Sequence, residues 1–137
     1  MLVPFDGSAE AESALEPMLA SIRDITKHVL LLQVVVAPRG GAAAYMFEDL
    51  PAEIEVARAS LERVAQMLRG EGLTVGIQVV AGSVAASIAS VARQESVDLI
   101  AMATHGRSGF ARLVLGSVAA ETLQRATTPL LVCGRQA

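Results

Sequence analysis

Residues 102–117 read MATHGRSGFARLVLGS, with glycines at 106, 109 and 116 and a serine directly after the last. Glycine frees backbone amides, and a helix N-terminus aims further unpaired N–H groups outward, so the two together suit a phosphate chain. Gly116-Ser117 adds a hydroxyl at a predicted helix start, which can hold a phosphate without any metal. The chain is acidic, with a net charge of −3, yet residues 99–120 carry no Asp or Glu and include Arg107 and Arg112. A positive island in a negative protein is where an anionic ligand is drawn. Ala103 stands where a phosphate loop of this shape prefers glycine.

Asp6 is the other chemically expressive residue. Its carboxylate can accept ribose hydroxyls or an adenine amino group, or it can form an Asx turn or helix cap with Gly7-Ser8. His105, Arg107 and Arg112 can touch or neutralise phosphate, or serve as ordinary solvated loop side chains. Glu48-Asp49 reads as loop decoration able to help hold magnesium. His28 and His105 have no metal-ligand spacing with a carboxylate or thiol. No Ser/His/Asp order or carboxylate pair suggests catalysis, and Cys133, in a strand expected to be buried, reads as inert core. Neither Gly-x-x-x-x-Gly-Lys-Ser/Thr nor Gly-x-Gly-x-x-Gly occurs. Phosphoryl transfer wants a metal ligand and a group orienting water, and Asp6 is the one carboxylate placed near the expected site, so any such transfer would be slow.

The elements around these residues alternate. Residues 1–5 read as a strand before the Asp6-Gly7-Ser8 turn, and Leu15, Met18, Leu19, Ile22 and Ile25 then recur at helical spacing. Residues 29–36 form an aliphatic run suited to a strand covered on both faces. Residues 37–50 read as loop, and Ile54, Ala57, Leu61, Val64, Ala65 and Leu68 mark a second helix. Gly70, Gly72 and Gly76 follow it as turn residues. Residues 74–81 read as a strand, Gly82-Ser83 opens a third helix, 98–102 is a short strand, Gly116-Ser117 opens a fourth helix, and 129–133 is a last strand. Such alternation predicts a doubly wound parallel sheet with helices on both faces. Ligands on such sheets bind beyond the carboxyl ends of strands where the order reverses. Asp6 and residues 103–106 would share one crevice if the first and fourth strands are neighbours.

Composition narrows the field. A chain of 137 residues is expected to form one domain over 1–137 with a substantial core, and 53% hydrophobic residues argue against disorder. No apolar run approaches the ~18 residues of a membrane span, and Asp6 and Glu10 interrupt the N-terminus before any signal-peptide core. A lone cysteine precludes an internal disulfide and fits a cytoplasmic location. Net acidity and 3% aromatic residues weigh against nucleic acid as a partner.

The residues also carry a resemblance. The opening LVPFDGSAEAESAL and the segment DLIAMATHGRSGFARLVLGSVAAETLQRATTPLLV resemble the first turn and the C-terminal half of the universal stress protein (UspA-like) family. The resemblance implies a five-stranded, Rossmann-like α/β sheet in the order 3-2-1-4-5, and ATP or a related adenine nucleotide, with or without Mg2+, as ligand. It implies a homodimer through the last strand, Leu130–Cys133. The family pattern is Gly-x-x-Gly, nine residues, then Gly-Ser/Thr. Here Gly106, the nine residues 107–115 and Gly116-Ser117 keep it, and Ala103 departs from it. Adenine and ribose contacts carry over to Pro4, Phe5, Asp6, Val34 and Met102, and Val118 follows the phosphate-binding hydroxyl. Arg107 joins the phosphate contacts. Gln33 replaces a histidine common in the family. Met1 stands almost inside the first strand, a few residues short of typical members.

Ala103 leaves two mechanisms open. If its position needs a positive φ, alanine costs roughly 1–2 kcal/mol, or about 5- to 30-fold in affinity. If it lies in the strand region, its methyl matters only where phosphate or ribose must touch the backbone. The functional expectation is a stress-response sensor or regulator that binds an adenine nucleotide. The alternatives are a family member that has lost nucleotide binding and acts by protein contacts, or a slow ATPase. A nucleotide-using enzyme of a related α/β superfamily is disfavoured, because the chain lacks Ser-Gly-Gly, His-x-Gly-His and Lys-Met-Ser-Lys-Ser motifs.

Overall fold

The computed structural model describes residues 1–36, 50–103 and 115–133. Among them β1 (Leu2–Pro4), β2 (His28–Val36), β3 (Thr74–Gly82), β4 (Ile100–Ala103) and β5 (Leu130–Cys133) form one sheet. Every pairing is parallel and the order is β3-β2-β1-β4-β5, as the alternating pattern and the resemblance imply. The connecting helices are α1 (Ala9–Ile22), α2 (Leu50–Gly70), α3 (Val84–Gln94) and α4 (Ser117–Arg125).

The aliphatic run of β2, broken only by Gln33 after His28, follows from its central place. Val29 and Leu31 face a core shared with α1 and α2, through Leu15, Leu19, Leu61 and Val64. Leu32, with Leu30 and Val34 beside it, faces a second core built from Ile88 and Val91 of α3 and Ala119 of α4. A strand covered on both faces has no solvent side to make polar. The buried Thr122 hydroxyl is satisfied inside α4, donating to the Val118 carbonyl at 2.7 Å.

Local chemistry sets the helix ends. Ser8 caps α1, its Oγ accepting from the Ala11 amide at 3.0 Å, and Glu10 and Glu12 lie in the positive first turn. A bidentate pair ties α1 to α2: Arg63 donates to both Glu12 carboxylate oxygens at 2.7 and 2.9 Å. The Arg63 hydrogen bond holds the Glu12 carboxyl below its ordinary range, and Glu12 in turn raises Arg63. This support is therefore present above the ordinary glutamate pKa and fades as pH falls through the lowered one.

Three expectations are corrected. Ile25 was assigned to the apolar face of the first helix, but α1 ends at Ile22 and Ile25 is 68% exposed. The Ile25 amide there bonds the Ile22 carbonyl at 2.9 Å as the chain turns toward β2. Gly76 is not a turn residue but lies inside β3, opposite Leu30, while Gly72 at φ +91° makes the turn after α2. Cys133 is not in a fully buried strand: β5 closes one edge of the sheet, so all four of its residues are half-buried. Partial burial still pushes the Cys133 thiol pKa up, which keeps it protonated and unreactive near neutral pH.

Candidate functional site

Strand order reverses between β1 and β4, which pair side by side with Leu2 opposite Ile100. The helices α1 and α4 that follow them pack on different faces of the sheet, the arrangement in which a crevice opens at the strand ends. A cavity of about 760 Å3 lies there, within the roughly 300–1,000 Å3 typical of small-molecule sites. Its floor is the end of β1 (Val3, Pro4, Phe5), with Leu32 and Val34 of β2 and Met102 and Ala103 of β4. One wall is α1 from Ser8 to Met18; the other is Val84 and Ile88 of α3 with Gly116 to Ala119 of α4.

Asp6 sits where β1 turns into α1. Its Oδ1 accepts from the Ser8 amide at 2.9 Å and from the Ser8 hydroxyl at 2.6 Å, so the Asx-turn reading holds. Gly7 between them is left-handed at φ +80°, a conformation that favours glycine. This network fixes the carboxylate at the cavity wall while Ser8 caps α1. The turn and the ligand-facing position are therefore served by one residue.

At the opposite wall α4 begins with Gly116 as its cap residue, so no side chain caps the helix and Ser117 is its first residue. Gly116 has φ −59°, which any residue adopts, and a Cβ there would meet nothing within 4 Å among the described residues. Neither conformation nor packing against the described residues requires glycine here. A helix N-terminus without a side-chain cap, beside Ser117 and clear of the other described residues, is an arrangement that admits an anion to the backbone.

Ala103 is the last residue of β4, paired with Cys133, and it is absent from the positive-φ residues. Of the two mechanisms left open by the sequence, the strand conformation is the one found. No backbone strain is attached to the alanine, and only its methyl intrudes.

Pro4, Phe5, Asp6, Val34, Met102, Ala103, Gly116, Ser117 and Val118 thus all line one cavity, although they come from five different elements and turns. Gly106 and Arg107 lie outside the described residues, as do His105, Gly109, Arg112, Glu48 and Asp49. His28 opens β2 at the amino end of the sheet, away from the cavity. Sequence reasoning did not include Ser8 or Glu10, which also line the cavity. The Ser8 signal was its place after Asp-Gly, read only as a turn; Glu10 gave none beyond a first-turn acid. Val84 and Ile88 were legible only as an apolar helix face. Among the described residues no group of three His, Cys, Asp or Glu side chains is placed to hold a metal ion. No helix there is long and apolar enough to cross a membrane.

Residues 1–134 match the model of the universal stress protein family. The universal stress protein MJ0531 of Methanocaldococcus jannaschii is 30% identical over 135 residues, covering 96% of this chain and 79% of the relative. The solved structure of MJ0577, from the same organism, superposes with a TM-score of 0.78 at 28% identity, covering 98% of this chain and 95% of that one. A universal stress protein crystallised in complex with cAMP shares the fold at 22% identity and a TM-score of 0.66, covering 96% of this chain and 94% of that one.

Proposed function

Because this chain belongs to the universal stress protein family, we propose that its crevice binds ATP or a related adenine nucleotide and that occupancy regulates contacts with other proteins in a stress response. The observation that carries this reading is the single cavity between Asp6 and Gly116-Ser117, with apolar Val34, Met102 and Ile88 in between. A nucleoside phosphate has the matching sequence of groups. Its base suits the apolar slot, its ribose hydroxyls suit a fixed carboxylate, and its phosphates suit a helix N-terminus. The cAMP complex of a protein with this fold supports an adenine nucleotide as the class.

In this reading Pro4, Phe5, Val34 and Met102 hold the base, Asp6 the ribose, and Gly106, Arg107, Gly116, Ser117 and Val118 the phosphate end. Asp6 and Glu10 are the carboxylates facing the cavity that can help hold Mg2+ when the nucleotide brings it. The Ser8 hydroxyl and the Asp6 carboxylate, which pair at the cavity wall, are engaged in the turn and the α1 cap, so the role proposed is binding rather than turnover, with hydrolysis at most slow. The chain acts as one domain over residues 1–137, in the cytoplasm. It pairs with a second copy along β5, whose half-buried residues lie at an open sheet edge. Nucleic acid and membranes are not its partners.

Ala103 gives the rival reading, a family member acting by protein contacts without nucleotide, its one specific observation. The strand conformation of Ala103 reduces that objection to a single methyl group. Isothermal titration decides between them. Ala103→Gly should bind ATP about 3- to 10-fold more tightly than the parent, by removing a methyl from the backbone surface the phosphates approach. Gly106→Asp should bind more weakly, from like-charge repulsion. Equal affinities for the parent and both variants would show that the segment after β4 is not the phosphate site.

A further inference from the structure

Alternate residues of β2 face the core under α1 and α2, and in that row Val29, Leu31 and Val35 are buried aliphatics. Gln33 is the polar member. Its Oε1 is buried and has no hydrogen-bond partner among the described residues. A buried amide carbonyl without a donor is costly, so hydrogen bonding to the described residues does not explain its place. Packing does. The Gln33 amide lies directly under Gly7: a Cβ on Gly7 would stand 3.3 Å from Nε2 and 3.6 Å from Oε1.

Gly7 links the two halves of the turn that fixes Asp6. The Ser8 amide and hydroxyl both reach back across it to Asp6 Oδ1. Its left-handed φ of +80° has few ways to relax while the amide occupies the space beneath it. Gln33 also borders a second hollow, between β2 and the first turns of α2, lined by Val36, Glu53 and Val56. Without the Gln33 side chain the turn has room to sink into the space it leaves, carrying the carboxylate away from the cavity wall.

We propose that Gln33 is a positioning residue, a prop under Gly7 that holds the Asp6 carboxylate at the nucleotide crevice. The proposal rests on the nucleotide reading for its consequence in binding, but the prop itself is a property of the unliganded chain. Gln33→Ala removes the prop, and Gln33→Met restores its length without the amide. Amide exchange by NMR should show Ser8 exchanging about tenfold faster in Gln33→Ala, with Leu31 and Leu61 unchanged. The ATP dissociation constant should rise about fivefold, while binding of inorganic tripolyphosphate, which lacks a ribose for Asp6, stays at the parent value. Gln33→Met should return both the Ser8 rate and the ATP affinity toward the parent.

A Ser8 rate in Gln33→Ala equal to the parent's would overturn the proposal. So would equal acceleration of Ser8, Leu31 and Leu61, since that is loss of stability rather than of position. If the parent itself fails to bind ATP, the nucleotide reading fails alone, and the Ser8 exchange rates still decide whether Gln33 holds the turn.

Discussion

Gly116→Asp should abolish nucleotide binding while leaving the protein at least as stable as the parent. The two halves of that expectation come from the same residue. As the cap of α4, Gly116 has an ordinary φ of −59°, and no described residue lies within 4 Å of where a Cβ would go. Aspartate is among the favoured residues at that position, a few tenths of a kcal/mol better than glycine, and its charge complements the helix dipole. The thermal midpoint should therefore stay within about 2 °C of the parent's or rise. The same carboxylate points into the place a phosphate would occupy. Like charges brought together there cost several kcal/mol, so the ATP dissociation constant should rise at least about 100-fold. Gly116→Asn, an equally good cap without the charge, should lose far less. Retained ATP affinity in Gly116→Asp would move the phosphates away from the α4 N-terminus.

Val132→Asp should convert the proposed dimer to monomer in sedimentation velocity. Val132 lies on β5, the edge strand, opposite Met102 of β4 and half-buried by its own chain. An exposed edge offers unpaired backbone groups to a second strand, and a two-fold dimer would set β5 against its own copy. Two aspartates facing each other across that axis would raise the dimer dissociation constant at least about 100-fold. The circular dichroism spectrum should be unchanged, because an edge residue at this exposure can turn toward water. A variant that stays dimeric would place the interface on another surface.

The fold was largely legible because each strand reports its surroundings. The mainly aliphatic β2 announced a strand with two cores, and the parallel arrangement follows from strands separated by helices. Ile25 misled because spacing alone does not mark where a helix stops: no glycine or proline follows Ile22, and the exit depends on where β2 must start. Gly76 misled in the opposite way, since a glycine within a strand reads as punctuation until its pairing with Leu30 is seen. The half-exposed β5 was missed because an edge strand and a central one share the same apolar composition. At the site, the acid after the first strand and Gly116-Ser117, both singled out by sequence, line opposite walls of the cavity. The α1 and α3 walls were not legible as such, because their lining residues differ in no way from ordinary core-facing positions. Gln33 was visible as a lone polar residue in an aliphatic run, but its contact with Gly7 exists only once α1 folds back over β2.

The proposed function stands most directly on calorimetric titration of the purified parent chain with ATP, after any bound nucleotide has been removed and identified by mass spectrometry. Saturable binding of one nucleotide per chain, lost in Gly116→Asp and retained in Val132→Asp, is the predicted result. No saturable binding at ATP concentrations of several millimolar, the weak end of specific ligand affinity at about −3 to −4 kcal/mol, would contradict it.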